Sequence, residues 1–216
     1  MGKLSKYISD FELTTLIRPS PQGDGVERWE PLWMKGRDDS GLAIFVSALD
    51  AEIYRRAEIA GGGDSNWRRV PLAHVDLLGQ VAGQGGTLVC QMIFGFSAAS
   101  HGKLATRGGS PRTRLVPVAF DIAINPESAA TFNFEGWVFD YIREQWAIVG
   151  ARQHAERIES INRESDAYLV ETADSALNCV TRVEAPGRPQ AWCVYSPDAG
   201  SWLFGADQVA QPGRLH

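Results

Sequence analysis

The sequence predicts an α+β fold with a mixed, mainly antiparallel sheet, two short helices, one long amphipathic helix and C-terminal antiparallel hairpins. Three observations lead there. Short apolar runs bounded by Gly, Pro, Asp and Ser clusters recur along the chain, as strands do. Two stretches between them place apolar residues at helical spacing, and residues 134–162 carry the broadest helical stripe. With 216 residues, 44% of them hydrophobic and 22% charged, the chain is long enough to bury a substantial core.

Residues 11–17 form a short apolar segment, ended by a Pro- and Gly-rich loop over 19–25. Leu32, Trp33 and Met34, then residues 42–46, read as the two strands of a hairpin across the turn-forming residues 36–41. Ser47 stands three residues before Asp50 and ahead of Leu49, Ile53 and Ala57, which predicts a capped helix that stops at Gly61. Trp67 to Val70 makes a short strand, and Pro71 opens a second helix through about Ala82. Strands follow over 87–94 and 115–124, joined by a Gly- and Ser-rich stretch that carries Lys103, Arg107, Arg112 and Arg114. That stretch is expected to be a mobile basic loop, either a plain hairpin excursion or a contact for an anionic ligand.

After a turn over 125–128, Val138, Ile142, Trp146 and Val149 define the long helix, which Gly150 is placed to interrupt. Four strands are expected beyond it, over 167–172, 178–184, 191–196 and 201–204, with a β-turn at 197–200. The implied organisation is an N-terminal segment and loop over 1–30, an α+β core over 31–163 and a C-terminal antiparallel sheet over 164–216. The last is expected to pack on the core as one domain.

The formal charge is −5, which disfavours nucleic acid as a partner and suits a basic protein. Cys90, Cys179 and Cys193 form no CxxC pair and are expected to be reduced thiols. No apolar run approaches the ~18 residues of a membrane span, and no h-region follows the basic start, so the chain is expected to be cytoplasmic and to have no membrane partner.

The four histidines, at 74, 101, 154 and 216, have no metal-type neighbours in sequence, and the standard phosphate, zinc and nucleophile motifs are missing. Neither a catalytic residue nor a metal or cofactor is predicted. Seven tryptophans supply either core or interface anchors. Trp137 and Trp146 fall on the apolar face of the long helix and are assigned to core; Trp29 and Trp33 fit either role. The predicted partner-binding residues are the carboxylates Glu156, Glu159, Glu164 and Asp166, with Trp67, Trp192 and Trp202 as anchors.

The Trp-containing strand Leu32-Trp33-Met34-Lys35-Gly36, the apolar strand ending at Ser47, the helix after it, and Trp67 to Pro71 with its following Gly-rich turn resemble immunity proteins of bacterial polymorphic-toxin and type VI secretion systems. The resemblance spans roughly residues 30–150. It implies a cytoplasmic inhibitor that binds a cognate toxin, such as a nuclease, over its active site. Such proteins share no single fold, so the resemblance transfers no binding residue. Two other readings remain open: an enzyme with a site near the basic loop 97–114, using Arg107, Arg112 or His101 on an anionic substrate, and a scaffold or adaptor that forms homo-oligomers.

Overall fold

The computed structural model describes residues 6–20, 28–36, 39–122, 130–189 and 191–206. The loops expected over 21–25 and 125–128, part of the turn over 36–41, the end of the strand expected to reach 124, and His216 lie outside the described residues. Elements in chain order are β1 (Lys6–Ile8), β2 (Thr14–Pro19), β3 (Trp29–Pro31), β4 (Trp33–Lys35), β5 (Ser40–Phe45), α1 (Ala48–Ala60) and β6 (Arg68–Pro71). They continue with α2 (Leu77–Gly83), β7 (Thr87–Ser100), β8 (Lys103–Arg107), β9 (Ser110–Pro111), β10 (Thr113–Asp121) and β11 (Thr131–Asn133). Last come α3 (Gly136–Ile148), α4 (His154–Ile161), α5 (Asp166–Asn178), β12 (Thr181–Glu184), β13 (Ala191–Ser196) and β14 (Ser201–Ala206).

The fold is α+β, built on a mixed and mostly antiparallel sheet. Its hub is β7, which pairs antiparallel with β10, β8 and β13 and parallel with β5. One core lies on each side. Leu88, Cys90, Met92 and Phe94 pack with Val138, Phe139, Ile142 and Trp146 of α3. Ile93, Phe96 and Ala98 pack with Leu49 and Ile53 of α1 and with Leu169, Ala173 and Ala176 of α5.

A β-bulge lets one strand feed both cores out of step. Arg114 pairs with Gly95 while Leu115 pairs with Ile93, so Phe94 is the extra residue, and the alternation of side chains inverts beyond it. Even-numbered residues face the α3 side up to Phe94 and the α1 side from Phe96 onward. The Trp146 indole N–H donates to the Phe94 carbonyl at 2.8 Å, pairing a buried group at the irregularity. Gly95 is required at the bulge, because a Cβ there would lie 2.9 Å from the Cys193 carbonyl oxygen.

Helix α1 starts where the sequence placed it. The Ser47 side chain accepts from the Asp50 N–H, and Gly61 supplies the C-cap. The next N-terminal donor, the Ala48 N–H, is taken by Asn162 Oδ1 at 2.8 Å, from 114 residues along the chain.

Three expectations are corrected. Residues 167–172 are not a strand but part of α5, because Leu169, Ala173 and Ala176 bury one helical stripe and Ser165 caps the start. The expected mobile basic loop is ordered hairpin structure formed by β7, β8, β9 and β10. Its tip is held against α1 so closely that a Cβ on Gly61 would lie 2.5 Å from the Gly109 carbonyl oxygen. The long helix is divided where the sequence placed the interruption, with Gly150 at φ +81° in the break between α3 and α4. The second helix is shorter than expected: Leu72–His74 forms a 3-10 turn, and Asp76 caps α2.

Candidate functional site

The seven predicted partner-binding residues divide by burial. Trp67 and Trp202 are each 7% exposed and Trp192 is 1% exposed, so the anchor role expected of all three is corrected to a core role. Their surroundings give the reason. Trp202 donates its indole N–H to the Ala176 carbonyl at the end of α5, Trp192 meets Phe94 edge-on, and the Arg18 guanidinium lies 4.7 Å from the Trp67 ring. Burial to this extent leaves little of the three rings for a partner.

The four carboxylates are all exposed. Glu156 and Glu159 project from α4, Glu164 lies between α4 and α5, and Asp166 opens α5. Asp166 is bonded to Arg69, and the nearby Asp174 is held by Arg56 at 2.5 Å. Arg157 and Arg163 interleave with the remaining acids in sequence. This part of the surface is therefore less negative than its count of carboxylates suggests.

A different face combines exposed apolar area with negative charge. On α3, Trp137 is 51% exposed and Ile148 is 43% exposed. They fall at i and i+11, which returns to nearly the same side of a helix. Tyr141 and Glu144 occupy the turns between them. The expectation that Trp137 is core is thus corrected: the buried face of α3 consists of Val138, Phe139, Ile142 and Trp146. Trp137 lies about a third of a turn from that stripe, and its indole N–H donates to Glu135 at 2.5 Å. Asp140 and Glu144 are also exposed on α3. The one cation of this helix, Arg143, bridges Asp140 at 3.0 Å and Asp10 at 2.7 Å and lies over Phe11, which leaves Glu144 as the carboxylate of α3 outside this network. Periodicity alone could have separated Trp137 from Trp146, since a nine-residue interval turns half way round a helix.

Of the residues suggested for an enzyme site, His101 stands apart from the two arginines. His101 stacks on Phe204 with ring centroids 4.7 Å apart, and Arg112 donates to the Ala185 carbonyl at 2.7 Å and to Gly187. Arg107 and Arg112 share a groove, which His101 does not line. The strongly perturbed groups also stand apart. Burial raises Asp50 to about 7 and Cys90 to about 12, pushes Cys193 well up, and lowers His154 to about 4. The Asp50 charge adds to burial in raising Cys193 on the α1 side, whereas Cys90 packs in the other core and His154 lies edge-on to Trp146. Thiols held protonated in this way are poor nucleophiles at neutral pH.

Among the described residues, no three His, Cys, Asp or Glu side chains form a group that could hold a metal ion. No helix among them is long and apolar enough to cross a membrane. Compared with known proteins, the chain matches no family model, no curated protein and no solved structure.

Proposed function

We propose that this chain is an inhibitory protein of the immunity type, which binds a basic cognate toxin and occludes its active site. The supporting observation is the outer face of α3, where Trp137 and Ile148 stand exposed beside Glu135 and Glu144, while Asp140 is paired with Arg143. Large apolar side chains left in water beside carboxylates suit a partner surface that is apolar at its centre and cationic around it. A Trp at the centre of such a contact supplies most of the affinity, while the carboxylates raise the association rate. A nuclease, whose substrate is anionic, presents surface of this kind.

Co-expression with the product of the adjoining gene tests the reading. Protection of the cells and a stable complex are expected, and Trp137→Ala should weaken the complex by about 30-fold, a loss of about 2 kcal/mol. Absence of both protection and complex would overturn the function. A complex unaffected by Trp137→Ala would overturn the choice of face.

A further inference from the structure

A groove of about 740 Å³ opens between β4, α1 and the β8–β10 hairpins, lined by Met34, Lys35, Tyr54, Arg107, Ser110 and Arg112 among others. Among the described residues, every charged side chain of that lining is basic, on a chain whose formal charge is −5. From these residues we infer a binding site for a small phosphorylated ligand with an apolar or ring-shaped portion, on a surface separate from the α3 face.

Several features support that chemistry. Lys35 and Arg107 are exposed at the groove, and Ser110 and Thr113 add hydroxyls able to donate to phosphate oxygens. Met34, Leu115, Pro111 and the ring of Tyr54 supply apolar surface beside them. A cleft of this volume accommodates a small organic ligand. One carboxylate, Glu184, lies beside this cluster, accepting from the Gly108 N–H at 3.0 Å and from Thr106 Oγ1 at 3.1 Å, and its charge offsets part of that of Arg107 and Arg112.

The walls are also preorganised. The Gly108–Gly109 turn is held against Gly61 at the end of α1, where a Cβ on Gly109 would lie 2.8 Å from the Gly61 carbonyl oxygen. Arg112 is fixed from behind by the carbonyls of Ala185 and Gly187. Burial and the like charge of Arg107 both lower its pKa, a repulsion that a bound anion would relieve. Holding cations in place before the ligand arrives reduces the ordering cost of binding.

Titration of the ¹⁵N-labelled full chain with inorganic pyrophosphate and with ADP tests the site. Saturable amide shifts are expected at Lys35, Gly36, Arg107 and Ser110 to Thr113, with ADP binding at least 10-fold tighter than pyrophosphate. The double variant Lys35→Ala/Arg107→Ala changes only exposed side chains, should keep the remaining spectrum, and is expected to weaken both ligands at least 10-fold. Shifts scattered over the whole surface, or affinities unchanged in the double variant, would overturn the site. Equal affinity for pyrophosphate and ADP would overturn the apolar portion of the ligand. None of these outcomes depends on whether a toxin binds α3.

Discussion

Replacing Asp50 by Asn should stabilise the protein at pH 8 and leave it nearly unchanged at pH 4. Asp50 is the third residue of α1, 2% exposed, and its Oδ2 has no hydrogen-bond partner among the described residues. Burial lifts its carboxyl from the ordinary 3.8 to about 7. Because the folded pKa exceeds the unfolded one, the folded state holds the proton more tightly. The resulting contribution to stability is complete below pH 3.8 and is lost as pH rises through about 7.

About three pKa units at ~1.4 kcal/mol each give a penalty of roughly 4 kcal/mol at pH 8. The positive end of the α1 dipole favours the carboxylate by up to about 1 kcal/mol, which brings the expected gain of Asp50→Asn to about 3 kcal/mol. Urea unfolding of both proteins at pH 4, 6 and 8, read as midpoints at constant m, measures it. A gap that stays constant with pH would refute the reasoning, as would a variant less stable than the native chain at pH 8.

His154 has the opposite sign. Its folded pKa of about 4 lies below the ordinary 6.5, so its contribution is complete above pH 6.5 and falls away toward pH 4, by roughly 3 kcal/mol. In the Asp50→Asn background, urea midpoints should fall more steeply on acidification with His154 than with His154→Gln; parallel profiles would contradict this. Asn162→Ala removes the side-chain cap on the Ala48 N–H and the donations to the Glu12 and Val46 carbonyls, and should cost about 2 kcal/mol in thermal or urea unfolding. Trp146→Ala should cost about 3–5 kcal/mol, whereas Trp137→Ala should change stability by only about 0.5 kcal/mol, and equal losses would show that the two faces of α3 are misassigned.

The part of the candidate site legible in sequence was the kind of residue, not its placement. The basic stretch over 97–114 was recognisable from its composition, but its ordered hairpins depend on β8 pairing with β9 and with the distant β12. The groove also needs Lys35 and Tyr54, more than 50 residues earlier, which no local pattern connects to Arg107. The acids at 156, 159, 164 and 166 were visible as a cluster, yet the pairing of Asp166 with Arg69 was not, because that partner comes from β6. Residues 167–172 misled by their aromatic and β-branched content, while the Ser165 cap and the stripe at 169, 173 and 176 were the signals that favoured a helix.

The sequence by itself determined the α+β class, the start and stop of α1 through Ser47 and Gly61, the break at Gly150, and the hairpin over 191–206. Each rests on contacts or backbone preferences within a few residues, or on a period set by helix or strand geometry. Tertiary structure alone decided that Trp67, Trp192 and Trp202 are core. A Trp is stable in either place, and burial depends on what the sheet brings opposite it. It also decided that Asn162 caps α1, and that a bulge at Phe94 turns one strand from serving one core to serving the other. Those outcomes depend on groups far apart in sequence, whose meeting is set by the packing of the whole sheet.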